Sequence, residues 1–347
     1  MTKPNAGSLV IGNAAEGAAS EILLVTSASG AGGLALPGGM NLPHLITSAG
    51  EQATRRFINF FTAEIENDNT RAAYLRAIRQ FDAWCTERRL GLDQLEPFVV
   101  AAYTKQLKET RHPQTVKQHL AALRMLFDNL VVGQVIPHNP AASVKGPKYS
   151  TKKGKTPVLT APETRGLLNS IDTSHVVGLR DRALIAAMVF SFARVSAVVN
   201  MRVEDFFPAG RKWKLRLHEK GGKYHEVLAH HSAEEYLHTY LEAANIGADK
   251  KSPLFRTTEG TSRVLTGNQM TRRDAHRMIK RRAVAAGVSG LIGCHTFRAT
   301  GITTYLKNGG TLEHAQRLAC HESARTTGLY DRRDDEVSLD EIERILI

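Results

Sequence analysis

Acidic residues are the first shortage. The chain has 34 Asp and Glu against 46 Lys and Arg, which leaves a formal net charge of +12 and a pI of about 9.7. A surplus of that size does not set a fold, but it points to a polyanionic partner, with nucleic acid first and an anionic membrane surface second. Cysteine is also scarce. Three residues, Cys85, Cys294 and Cys320, in a chain of 347 do not make a disulfide framework, and a reducing, cytoplasmic compartment is expected. No apolar run reaches the roughly 20 residues of a membrane span. No basic segment followed by an apolar core opens the chain, so no secretory signal is expected. Cys294–His295 and Cys320–His321 invite a zinc reading, but adjacent residues point different ways and the usual Cys-x2–4-Cys or His-x3–5-His spacing is missing. Small thiols beside histidines with other work are the better reading, and neither metal nor cofactor is expected.

The length suggests about two domains. Residues 1–47 are rich in Gly, Ala and Ser with no sustained period, and are read as a flexible arm. Residues 48–136 show helical periodicity and are read as a helical DNA-binding domain. In its second helix, Asp68 or Asn69 is the expected cap, and Tyr74, Ile78, Phe81 and Cys85 mark the buried stripe. The exposed faces carry Arg71, Arg76, Arg79, Lys105, Lys108, Arg111, Lys117 and Arg124. In so basic a chain these suggest a DNA-facing surface. Residues 137–157 combine Pro, Gly and Ser with Lys145, Lys148, Lys152, Lys153 and Lys155 and contain no acid, which reads as a basic linker able to follow a phosphate backbone.

A second domain is expected over 158–335. Thr160 and Glu163 fit a capping box, and GLRDRALIAAMVFSFA reads as a long buried helix. The period then changes. WKLRLH (213–218) and KYHEVL (223–228) alternate around Lys220-Gly221-Gly222 and predict a hairpin. Helices resume near Ser232, capped with Glu235, and continue through TRRDAHRMIKRRAVAAG and from His295. Residues 336–347 predict a short final helix, with Ser338 and Glu341 as its capping box. The whole is mainly α with a small β-sheet.

Single residues carry little by themselves. His295 and Arg298 share a helix face. Arg194 follows an apolar helix and needs either an internal acid or a ligand. RVSAVV, HTFRATGITTYLKNGG and LACHESARTTGLY, in that order, resemble the phage-integrase family of tyrosine recombinases, and Lys220 lies between the first two, where that family keeps its catalytic lysine. His321 follows Arg298 by 23 residues and Tyr330 follows His321 by nine, as in that family.

The resemblance implies a helical core-binding domain, a mixed α/β catalytic domain, and a site of Arg194, Lys220, His295, Arg298, His321 and Tyr330. It further implies site-specific cutting and rejoining of double-stranded DNA through a 3′-phosphotyrosine, without metal or ATP. A homotetramer synapsed on DNA follows, with the tail docked on a neighbouring subunit, accessory proteins open, and a bacterial cytoplasmic, nucleoid-associated setting. The residue types suit such chemistry. A tyrosine of pKa about 10 needs a proton acceptor, arginine forks suit phosphate oxygens, and a leaving 5′ oxygen needs a proton, from Lys220 with Lys223 as competitor. An inactive DNA-binding relative and a type IB topoisomerase are the alternatives.

The chain departs from the family at Ala197, where an acid is common, so either Asp181 or Glu204 substitutes or the site is looser. It departs again at Cys320, where a glycine is common. Nine residues of straight helix would put His321 and Tyr330 on opposite faces. A break is therefore expected at Thr326-Thr327-Gly328, with Tyr330 on a movable segment that lies away from the pocket when DNA is absent.

Overall fold

The computed structural model describes residues 42–151, 154–219, 224–260, 262–288, 291–333 and 343. It divides into two units, the first ending at Ser150 and the second starting at Thr151.

The first unit is helical: α1 (His44–Thr47), α2 (Glu51–Asn59) running into a π-turn at Phe60–Glu64, α3 (Asp68–Glu87), α4 (Pro97–Thr110) and α5 (Pro113–Val132). Capping sets these starts. Asn67, not Asp68 or Asn69, caps α3, because its extended backbone lets its side-chain oxygen accept from the amides of Asn69 and Thr70. Proline opens α4 and α5 at positions where a missing N–H costs nothing. The core joins Phe57 of α2, Ile78, Phe81 and Cys85 of α3, Tyr103 of α4, and Leu123 and Phe127 of α5. Phe81 packs edge-on to Tyr103 and Phe127. Tyr74 only borders this core, while Leu75 is buried in it. The expected boundary at residue 48 is too late. Leu45 and Ile46 of α1 are buried, and Asp82 of α3 accepts from the amides of His44 and Leu45.

The second unit contains α6 (Ala161–Asn169), α7 (Val176–Ser191), α8 (Val195–Val199), β1 (Phe206–Ala209), β2 (Lys212–His218), β3 (Tyr224–Leu228) and α9 (His231–Ala244). Then follow β4 (Arg256–Thr258), β5 (Leu265–Gln269), α10 (Arg272–Ala285), α11 (Cys294–Lys307), α12 (Leu312–Leu318) and α13 (Ala324–Gly328). Strands β1, β2 and β3 form an antiparallel sheet in that order, with Lys214 opposite Leu228 and His218 opposite Tyr224. The turn of that hairpin, with Lys220 and Lys223, lies outside the described residues, as do residues 1–41, Lys152, Lys153 and nearly all of the expected tail helix.

Helix α7 is buried along almost its whole length, packed chiefly against α9 and α11. Thr160 and Glu163 form the capping box of α6. Helix α9 starts at His231 with His230 as its cap, earlier than Ser232, because the His230 ring nitrogen accepts from the Ser232 amide. Strands β1, β4 and β5 were not anticipated. They are three to five residues long, and β1 contains Pro208. Among the described residues, no helix is long and apolar enough to cross a membrane.

Candidate active site

Helix α7 stops at Phe192, which takes a left-handed conformation (φ 55) and turns the chain so that Arg194 opens α8. Helix α11 crosses this end of α7. A Cβ at Gly301 would lie 2.1 Å from the Val189 carbonyl oxygen, so only glycine allows the approach. Arg298, one turn earlier, is therefore drawn under the turn and is 1% exposed. Its Nη1 donates to the Phe192 carbonyl and its Nη2 to the Ala319 carbonyl at 2.5 Å. One guanidinium thus holds the ends of α7 and α12 together, two residues short of Arg194 on one side and of His321 on the other. Its Nε has no acceptor among the described residues.

Arg194 pairs with Glu219 at 2.5 Å, with Glu219 almost fully buried and Arg194 half-exposed. Neither acid proposed from the sequence serves here. Asp181 is fully buried among Arg180, Arg281 and Arg282, and Glu204 pairs with Lys251. Glu219 was missed because it approaches from the end of β2, 25 residues along the chain.

The chain leaves the helix at Cys320 to Ser323, before α13, and not at Thr326–Gly328 as expected. Helix α12 ends in a Schellman turn: Cys320 has φ 48, its amide donates to the Arg317 carbonyl, and the His321 amide donates to the Gln316 carbonyl. Ser323 then caps α13, and Thr326, Thr327 and Gly328 are helical. The hydroxyl of the fully buried Thr327 lies 2.9 Å from His321 Nδ1. Tyr330 is not displaced from the pocket. It is buried, its ring stacks on that of His321 at 5.6 Å, and its hydroxyl lies 2.5 Å from His295 Nε2. The Thr303 hydroxyl donates to its carbonyl oxygen at 2.8 Å. His225 of β3 reaches the Leu318 carbonyl at 3.0 Å and so ties the hairpin to α12.

Burial, then the charges of Arg298 and Arg194, lower the pKa of both histidines, and His321 falls to about 3. Both rings are therefore neutral near pH 7, and His295 can accept a proton from Tyr330. Burial and Arg194 also lower the Arg298 pKa, opposed by Tyr330 and Glu219. Arg194, Arg298 and Glu219 together leave one positive charge in excess, which matches a monoanionic phosphodiester. The described residues contain no group of three or more His, Cys, Asp or Glu that could hold a metal ion. Cys294 is half-buried, and burial raises its pKa, so its thiol stays protonated.

The structure thus brings Arg194, His295, Arg298, His321 and Tyr330 together, while Lys220 lies outside the described residues. The basic residues read as DNA-facing fall into two groups. Arg76, Arg79, Lys105, Lys108, Arg111, Lys117, Lys145 and Lys148 are exposed. Arg71 and Arg124 are committed inside their own unit. Arg71 donates to the Ile65 carbonyl and to Asp68, and Arg124 donates to the carbonyls of Ala141 and Val144. A further basic face was overlooked on α10, where Arg272, Arg273, Arg277 and Arg281 are exposed. In TRRDAHRMIKRR, Arg273, Arg277 and Arg281 recur every four residues and so share one helix face.

Residues 157–336 match the phage integrase family, and residues 53–135 match the phage integrase N-terminal SAM-like domain. Similar curated proteins include tyrosine recombinase XerD of Lacticaseibacillus casei, 26% identical over 75% of this chain and 86% of that protein. XerD of Listeria innocua is 28% identical over 79% and 91%. Among solved structures, the XerH site-specific recombinase bound to palindromic difH substrate, a post-cleavage complex, shares the fold at TM-score 0.63, with 21% identity over 75% of each chain. A lambda integrase tetramer bound to a Holliday junction shares it at TM-score 0.62, with 17% identity over 83% of this chain and 79% of that one.

Proposed function

This chain belongs to the phage integrase family and is a site-specific tyrosine recombinase, and from that premise we propose that it cuts and rejoins DNA through a covalent bond between Tyr330 and a 3′ phosphate. The observation that carries this reading is the Tyr330 hydroxyl, 2.5 Å from the neutral His295 ring in a pocket shared with Arg194 and Arg298. As the Tyr330 oxygen attacks phosphorus, its proton passes to His295 Nε2. Arg194, through the part of its guanidinium not held by Glu219, and Arg298, through Nε, stabilise the charge that develops on the non-bridging oxygens. The P–O5′ bond breaks, and the departing oxygen takes a proton from Lys220. His321, held by Thr327, packs against the tyrosine ring and fixes its approach.

The sequence of steps reverses when a second 5′ hydroxyl attacks the phosphotyrosine. One phosphodiester replaces another through a covalent intermediate. The bond energy is kept, and the reaction draws on neither ATP nor metal. DNA is held by the basic faces of α3, α4 and α5, by the linker lysines and by α10, and exchange between two duplexes takes place in a homotetramer.

The test is a nicked duplex carrying the DNA that flanks the gene. Wild-type protein forms a covalent complex in the presence of chelator, and Tyr330→Phe forms none. Arg194→Ala and Arg298→Ala lose cleavage by about a hundredfold or more while keeping most DNA affinity. An adduct that persists in Tyr330→Phe would show that another residue is the nucleophile.

A further inference from the structure

Residues 154–156 are the last stretch of the basic linker, and they lie against the segment that carries Tyr330. The Gly154 amide donates to the Leu329 carbonyl at 2.7 Å. Arg332 Nη2 donates to the carbonyls of Gly154 at 2.7 Å and Thr156 at 2.8 Å. The contact is close enough that a Cβ at position 154 would sit 2.6 Å from the Leu329 carbonyl oxygen. The linker therefore grips the chain one residue before Tyr330 and two residues after it. Tyr330 itself is held at its amide by the Thr327 carbonyl, at its carbonyl by Thr303, and at its ring and hydroxyl by His321 and His295.

We infer that Arg332 and Gly154 form a clamp through which the seat of the linker positions the Tyr330 hydroxyl against His295. Arg332 is a positioning residue in this scheme. Among the described residues, its guanidinium hydrogen-bonds two main-chain carbonyls of the linker and no member of the phosphate pocket. A charged donor shared by two carbonyls is a strong anchor, and its loss frees the backbone on the far side of the nucleophile. The short hydrogen bond to His295 then becomes one of several arrangements. The linker that wraps toward DNA in the proposed complex is the same chain that sets the tyrosine, so an unseated linker leaves the nucleophile unset. This inference rests on the reading of Tyr330 as the nucleophile.

The test uses the full chain, the nicked duplex described above, and single-turnover adduct formation. Affinity for the same DNA is measured in a Tyr330→Phe background, where no adduct forms. Arg332→Ala slows adduct formation by about tenfold to a hundredfold, the scale of one charge-assisted anchor, while affinity changes by less than about threefold. Arg332→Lys, which keeps a cationic donor, recovers most of the rate. Gly154→Ala breaks the clamp from the other side without touching Arg332 and slows the reaction by a similar factor. The double variant is no slower than the slower single one, because both remove one device. Wild-type rates in Arg332→Ala and Gly154→Ala would overturn the clamp, as would multiplicative effects or a loss of affinity that accounts for the loss of rate. An adduct in Tyr330→Phe alone would instead overturn the nucleophile assignment.

Discussion

Position 197 carries no carboxylate, and Ala197 is fully buried, so an acid for Arg194 has to arrive from another element. Glu219 supplies it from the end of β2 with a buried side chain, which fixes one edge of a half-exposed guanidinium and leaves the rest open. Removing that partner lets a long side chain wander over the pocket mouth. Glu219→Ala is therefore expected to slow single-turnover cleavage about tenfold to a hundredfold, as for the loss of a charge-assisted hydrogen bond of about 1.5–3 kcal/mol. Glu219→Gln, which keeps an acceptor, loses less. Unchanged cleavage in Glu219→Ala would mean that Arg194 is held by the backbone of α8 alone. The residues that the fold gathers, Arg194, His295, Arg298, His321 and Tyr330, were legible in type and order because each lies in a local motif. Glu219 was not, because nothing local to LHEKGG says that the end of β2 folds toward Arg194. Asp181, which looked available, is already shared by three arginines.

At the scale of elements, the turn between α12 and α13 decides whether His321 and Tyr330 meet. Intrinsic propensity put the break at Thr326–Gly328, but those residues are helical, and Thr327 holds His321. The break is instead a left-handed residue, Cys320, at the position where a Schellman turn favours glycine. Residue type hid it, since cysteine is not a turn signal. Ser323, a residue type that favours helix starts, caps α13 and marks the end of the break. The φ of 48 at Cys320 makes two opposite predictions. Cys320→Gly relieves about 1–2 kcal/mol of left-handed strain but adds unfolded-chain freedom worth about 0.4–1 kcal/mol, so stability in urea stays equal or rises by up to about 1.6 kcal/mol. Cys320→Val, with a β-branch in the same conformation, costs about 1–2 kcal/mol and slows adduct formation by shifting His321. If Cys320→Gly instead loses about 2 kcal/mol or more, the thiol contributes packing that outweighs the strain. The same limit of local reading applies to β4 and β5, which are too short and too polar to show a period.

Across the whole molecule, the +12 charge announced a polyanion but did not say which cations face it. The structure separates two kinds of basic residue that look alike in sequence. Lys145 and Lys148 are exposed, whereas the Arg124 guanidinium fastens the Ala141 and Val144 carbonyls, and Asn139 ties the same turn to the Arg124 carbonyl and Asp128. Arg124 thus shapes the start of the linker rather than presenting charge. Contacts to phosphate release counterions, and each adds about 0.9 to the slope of log affinity against log salt concentration. Lys145→Ala and Lys148→Ala are therefore expected to lower the magnitude of that slope by about one each, with unchanged thermal stability. Arg124→Ala is expected to leave the slope nearly intact and to lower unfolding stability by about 1–3 kcal/mol, because two carbonyls lose their donor. Titrations by fluorescence anisotropy at several salt concentrations, paired with urea unfolding, separate the two outcomes. A reduced slope with undiminished stability in Arg124→Ala would place that guanidinium on the DNA and remove it from the linker.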